Sequence, residues 1–122
     1  MTAGKLFSPY TLGALTLPNR IAMAPMTRCR ATNPAIAPTP MKGEYYGLRA
    51  DAGLIISEGI PVSPQARGYA FTPGLYSAEQ VAGWHAVTNE VHKQGGRIFA
   101  QLWHCGRISH GSLREDHAPP VG

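Results

Sequence analysis

Three short stretches of this chain carry side chains suited to holding and polarising a ligand. Ala24-Pro25-Met26-Thr27-Arg28 offers the Thr27 hydroxyl directly after an apolar run. Taken alone, that threonine reads better as the start of a turn. Ser57-Glu58-Gly59 ends a second apolar run, where Gly59 either admits a ligand to the backbone or merely permits a turn. Gln101-Leu102-Trp103-His104-Cys105-Gly106-Arg107 gathers an amide, an indole, an imidazole and a guanidinium. Along an extended strand Gln101 and Trp103 point to one side, so both can face one pocket. A core tryptophan beside a turn explains Trp103 and Gly106 but not Gln101, because a buried amide needs partners.

Two other chemistries weigh less. Cys105, His104, His110 and His117 are candidate metal ligands, but Cys-x4-His-x6-His matches no usual zinc spacing and there is no Cys-x-x-Cys. No metal is therefore expected. A nucleophilic Cys105 activated by His104 is disfavoured, since adjacent residues on an extended chain point apart.

These stretches need elements to position them. Arg20–Ala24 is short, apolar and alternating between Pro18-Asn19 and Pro25, and reads as a buried strand. Residues 25–38 carry prolines and no period, which predicts a loop. Thr39-Pro40 reads as a helix start, with Met41, Tyr45 and Leu48 on one face and Gly53 as the stop. Leu54–Ser57 is a second strand. Ser77-Ala78-Glu79-Gln80 has capping-box spacing and opens a helix with Val81, Trp84, Val87 and Val91 at helical intervals, ended by Gly95-Gly96. Arg97–Leu102 is a third strand, and the tail from Trp103 shows no period.

Strands alternating with helices imply parallel pairing through right-handed crossovers. An open doubly wound sheet and a closed barrel share this order. No dinucleotide fingerprint or phosphate-cradling Walker loop follows any strand. The long loops (25–38, 58–76, 103 onward) all follow strands, while helix-to-strand turns are tight. That asymmetry suits a barrel with its site at the C-terminal strand ends.

Composition sets the outer bounds. At 122 residues, 43% hydrophobic and 15% charged, the chain is that of a globular protein with room for one ordinary domain. A net charge of +4 is spread without basic runs, which argues against nucleic acid as partner. No apolar run approaches the roughly 18 residues of a membrane helix. The amino terminus lacks a secretory layout, so a cytoplasmic location is expected. Cys29 and Cys105 form no disulfide framework.

Together the motifs KLFSPYTLGALTLPNRIAMAPMTRCRA, PTPMKGEYYGLRADAGLIISEG, GYAFTPGLYS and GGRIFAQLWHCGRISH cover nearly the whole chain. In content, order and spacing the chain resembles the old yellow enzyme family of flavin-dependent ene reductases. Thr27, rather than a cysteine, resembles the pentaerythritol tetranitrate reductase-like branch. The resemblance implies a (β/α)8 TIM barrel, of which this chain would supply the first three βα units, residues 1–122 being the N-terminal part of a single FMN-binding domain. It implies FMN as cofactor, NADPH or NADH as hydride donor, and activated alkenes such as enones as substrates. Pro25, Met26, Thr27, Gly59 and Gln101 would contact the flavin, and Thr27, Tyr69 and Trp103 would shape the substrate pocket. No catalytic residue would lie in this chain, because the family's proton donor and carbonyl-binding pair fall beyond its end.

A whole barrel takes about 250 residues and eight strands. The expectation is therefore an N-terminal portion active only when complemented by the C-terminal part of the barrel, with a second chain as the expected partner and an unpaired apolar strand edge as the expected liability; a monodisperse, cooperatively folding monomer would overturn it. The alternative is a non-catalytic truncated fragment or strand-pairing module without flavin.

Overall fold

The computed structural model describes residues 3–122. After a 3-10 turn at Ala3–Lys5 comes an antiparallel hairpin, β1 (Tyr10–Leu12) and β2 (Leu15–Leu17), with Leu12 opposite Leu15. The two-residue connection places Gly13 at φ 59, the left-handed conformation that a tight hairpin asks of its first loop residue. Arg20 binds this hairpin back, its guanidinium stacking over Tyr10 and donating to Ser8 and Pro9. The hairpin was not among the elements expected from the sequence.

Beyond it lie β3 (Ala22–Met23), α1 (Pro40–Gly47), β4 (Leu54–Pro61), α2 (Ala78–Lys93) and β5 (Ile98–Trp103). The sheet runs β3-β4-β5, both pairs parallel, with Met23 opposite Ile55 and Ile55 opposite Ile98. Among the described residues the order in this sheet is strand, helix, strand, helix, strand, as the sequence predicts. Strands that advance in one direction through same-handed crossovers put both helices on one face. Consistent with that, α1 packs against α2, and Tyr46, Ala50, Ile55, Ile60, Trp84, Val87 and Val91 form one core between helices and sheet.

The strand limits differ from expectation in ways that matter. β3 is shorter, because Pro25 stops pairing and Arg20 turns its backbone N–H to Leu6. β4 runs on to Pro61, so Glu58 and Gly59 lie within the strand and not in a loop. β5 takes in Trp103. Short 3-10 turns, Gly106–Ile108 and Gly111–Leu113, follow in the tail.

The helix starts are as the sequence predicts. Thr39 precedes Pro40 as N-cap residue, though its side chain makes no capping bond. Ser77 and Gln80 form the reciprocal capping box of α2. The faces are corrected. Met41 and Leu48 are 63% and 75% exposed, and α1 instead buries Lys42, Gly43, Tyr46 and Gly47 before ending at Leu48, well short of Gly53. The reason is close packing. A Cβ at Gly47 would stand 2.7 Å from the Gln94 amide of α2, and one at Gly43 would touch Glu90, so the glycine stripe is the contact face. On α2, Val81 is exposed and Gln80 takes its place beside Trp84, Val87 and Val91.

Among the described residues no helix packs on the other sheet face. Ile98 packs toward the core, so alternation puts Phe99, Gln101 and Trp103 on the opposite side. Phe99 and Leu102 are exposed, and among the described residues no strand pairs with the outer edge of β3 or of β5.

Candidate functional site

The three stretches singled out in the sequence converge at the C-terminal ends of the three parallel strands. Gly59 on β4 is the register partner of Gln101 on β5, and Pro61 is the partner of Trp103. Thr27 lies four residues past Met23, and Gly59 four past its register partner Ile55. Gly59 and Gln101 therefore sit at one level of the sheet, and Thr27 lies in the loop that leaves the end of β3 beside them, next to the Arg28 N–H bonded to Glu58. Pro25, Met26 and Thr27 are exposed, as is the Gln101 side chain.

A β-bulge sets this register. Ile56 pairs with Phe99 and Gly59 with Gln101, so β4 spends one residue more than β5 over the interval. A bulge removes ladder partners, and each displaced group here finds another. The Gln101 backbone N–H donates to Ser57 Oγ at 3.1 Å, and Ser57 Oγ donates to the Glu58 carbonyl at 2.8 Å. The Glu58 N–H donates to the Tyr46 phenol oxygen at 2.8 Å. Ser57 and Tyr46 are both buried, so leaving these groups unpaired would be costly.

Sequence reasoning missed the polar cluster beneath this end of the sheet. Glu58 and Lys42 are 0% and 2% exposed, and the Lys42 ammonium is hydrogen-bonded to Glu58 Oε1. The second carboxylate oxygen accepts the backbone N–H of Arg28 at 3.2 Å. Burial pushes the Tyr46 phenol above its ordinary value, although the Glu58 N–H bonded to it acts the other way. No local signal pointed to it, because Lys42 and Glu58 meet only once α1 and β4 are brought together.

Gly59 has a specific steric task. A Cβ there would lie 2.4 Å from the indole carbons of Trp103, so the ring approaches this backbone as only glycine allows. Trp103 also stacks on Tyr69, with ring centroids 5.4 Å apart and planes at 18°. Its indole Nε1 is buried and has no hydrogen-bond acceptor among the described residues. The Tyr69 loop is anchored around it: Thr72 Oγ1 donates to the Tyr69 carbonyl at 3.1 Å, Cys105 N–H to the Ala66 carbonyl at 3.1 Å, and Ser109 Oγ to the Arg67 carbonyl. The sequence-predicted pair Tyr69 and Trp103 is thus brought into contact.

The rival candidates have local tasks. His104 Nδ1 accepts from the Gly106 N–H at 3.0 Å, and His110 Nδ1 from the Ser112 N–H at 3.2 Å, so both rings cap turns. The Cys105 side chain lies against Gly68, and burial pushes its thiol up, away from a thiolate nucleophile. Among the described residues, no cluster of three or more metal-ligating side chains forms and no helix is long and apolar enough to cross a membrane.

Comparison with known proteins supplies the rest. Residues 5–121 match the model of the NADH:flavin oxidoreductase / NADH oxidase family. The chain is 45% identical over 117 residues to 12-oxophytodienoate reductase 7 of Oryza sativa subsp. japonica, covering 95% of this chain and 29% of that protein. A morphinone reductase variant in complex with tetrahydroNAD superposes with TM-score 0.91 at 52% identity, over 96% of this chain and 32% of the other. The old yellow enzyme homologue of Zymomonas mobilis superposes with TM-score 0.90 at 47% identity, over 97% and 32%. The chain spans about a third or less of the length of these relatives. With the matching family model, the sequence identities and these superpositions in agreement, the chain belongs to the NADH:flavin oxidoreductase / NADH oxidase family, the old yellow enzymes, whose cofactors are FMN and NAD(P)H.

Proposed function

We propose that this chain forms the N-terminal part of an FMN-dependent ene reductase, a (β/α)8 barrel that reduces activated C=C bonds with NAD(P)H. The observation that carries the reading is the pairing of Gly59 with Gln101 near the C-terminal ends of adjacent parallel strands, with the Thr27 loop tied to the same end through the Arg28 N–H on Glu58. That is the end at which barrel enzymes hold their ligands.

The residues present fit a flavin. Its ring system has broad apolar faces and one edge of alternating donors and acceptors. Gln101 carries both a donor and an acceptor, is exposed, and makes no side-chain hydrogen bond among the described residues. Thr27 adds a hydroxyl that gives or accepts, and Pro25 and exposed Met26 add apolar surface. FMN, when bound, supplies the hydride chemistry that none of these side chains can perform.

The protein's own residues would then bind and orient. Gln101 holds the polar edge in one orientation. Thr27 bonds a ring carbonyl and shifts the cofactor's electron affinity through that hydrogen bond. Gly59, whose lack of a Cβ makes room for the Trp103 indole, would meet the ring through its backbone alone, and the Tyr69–Trp103 stack would give the alkene a flat wall. Protonation of the alkene carbon and the grip on its carbonyl fall to groups outside these residues.

The bare sheet face, and the outer edges of β3 and β5, support a further part of the proposal. Activity would require the rest of the barrel, from the same polypeptide or from a second one, to cover Phe99 and Leu102 and close the sheet. A non-catalytic strand-pairing module would share that edge but take up no flavin.

The test is reconstitution. The chain, joined to or mixed with the C-terminal part of a relative's barrel, should bind FMN stoichiometrically and be bleached by NADPH or NADH, then reoxidised by an enone. Thr27→Ala in that assembly should change the flavin potential and slow one half-reaction by about tenfold, the scale of one lost hydrogen bond. Assembly without flavin uptake refutes the reading, and an unchanged potential refutes the Thr27 assignment.

A further inference from the structure

We propose that Glu58 is a positioning residue for the flavin-side segment Pro25–Arg28, acting through the Arg28 backbone amide. This rests on the function proposed above and adds a residue to it. From Pro25 to Arg28 the backbone has no secondary structure, and among the described residues one hydrogen bond ties it to the sheet: Arg28 N–H to Glu58 Oε2 at 3.2 Å. Thr27 precedes that amide directly, so its height above β4 depends on where the carboxylate sits.

Glu58 is held at its carboxylate by Lys42 and at its backbone by Tyr46 and the bulge. Lys42, from buried α1, bonds its other oxygen. The Tyr46 phenol, one turn further along α1, accepts the Glu58 N–H. The bulge between Ile56 and Gly59 offsets the local backbone where Glu58 lies. That same bulge sets Gly59 opposite Gln101, with the Gln101 N–H on Ser57. One irregularity in β4 therefore bears on Gly59, on Gln101 of β5 and, through Glu58, on the loop that carries Thr27.

A plain stability role is the weaker explanation for so buried an ion pair. Two charges taken out of water gain little over a well-packed apolar pair, whereas a carboxylate anchored by Lys42 makes a stiff, charge-assisted acceptor for a loop amide.

The experiment compares two charge-neutral double variants in the full-length, flavin-loaded protein. Lys42→Met with Glu58→Gln keeps an oxygen that can accept from Arg28, and Lys42→Met with Glu58→Leu removes it. Amide hydrogen exchange at Arg28 is read with the flavin absorption spectrum and reduction potential. In the parent, Arg28 should exchange more slowly than Met26 and Thr27. The glutamine variant should retain that protection and the flavin signature. The leucine variant should exchange at Arg28 about tenfold faster, the scale of one lost hydrogen bond, and shift the flavin band and potential.

Equal exchange at Arg28, Met26 and Thr27 in the parent overturns the proposal without need of any variant that must fold. So does an Arg28 amide released in the leucine variant with the flavin signature unmoved. A parent that takes up no FMN overturns the function and this role together, whereas a flavin-loaded parent with indistinguishable variants overturns this role alone.

Discussion

The Trp103 indole lies directly on Gly59, in the space a Cβ would occupy. This contact joins β5 to the β4 bulge and orients the ring that stacks on Tyr69. Gly59→Ala should therefore push the indole aside, costing about 1–3 kcal/mol as overpacking does. Denaturant unfolding should show that loss, and tryptophan fluorescence should show the ring displaced. Unchanged stability and emission would refute the steric reading of Gly59.

Ser57 replaces a ladder carbonyl for the Gln101 N–H. Ser57→Ala would leave that donor without its acceptor, at a cost of about 1–3 kcal/mol if water cannot reach it. Exchange at the Gln101 amide should accelerate more than at Ile98. Equal protection at both positions would show that the bulge closes without the hydroxyl.

Tyr46 makes stability depend on alkaline pH. Burial raises its folded-state value above 10.0, so the neutral phenol favours the fold. That contribution is fully present below about pH 10, the value of an unfolded tyrosine, and is lost as pH climbs from there through the folded-state value. Tyr46→Phe should begin less stable, because the Glu58 N–H loses its acceptor, and should then lose less between pH 10 and 12. Parallel pH profiles for parent and variant would contradict this.

The α2 capping box is a local prediction. Ser77 Oγ accepts from the Gln80 N–H at 3.3 Å, and Gln80 Oε1 accepts from the Ser77 N–H at 3.2 Å. Ser77→Ala should cost about 1 kcal/mol. Gln80→Ala should cost more, because the same side chain also bonds the Tyr76 N–H and the Ala35 carbonyl. Thermal melts of the two variants give the order, and a smaller loss for Gln80→Ala would contradict the assigned network.

What the sequence determined by itself is the part governed by local rules. Alternation of apolar strands with helices, Ser77 and Gln80 at capping distance, and Pro40 after Thr39 are each set by neighbours within a few residues, and all appear in the fold. The site was legible at the level of strand ends, since Thr27, Gly59 and Gln101 each follow or close an apolar run. The β1–β2 hairpin was legible in principle from Gly13 between short alternating runs, but its strands are only three residues each. Tertiary structure alone decided which face of α1 is buried, because Gly43 and Gly47 carry no hydrophobic signal and matter only once α2 lies against them. It also decided the bulge, the seat of Trp103 on Gly59 and the meeting of Lys42 with Glu58. Those depend on register between strands and on helix approach, quantities that exist only between segments distant in sequence.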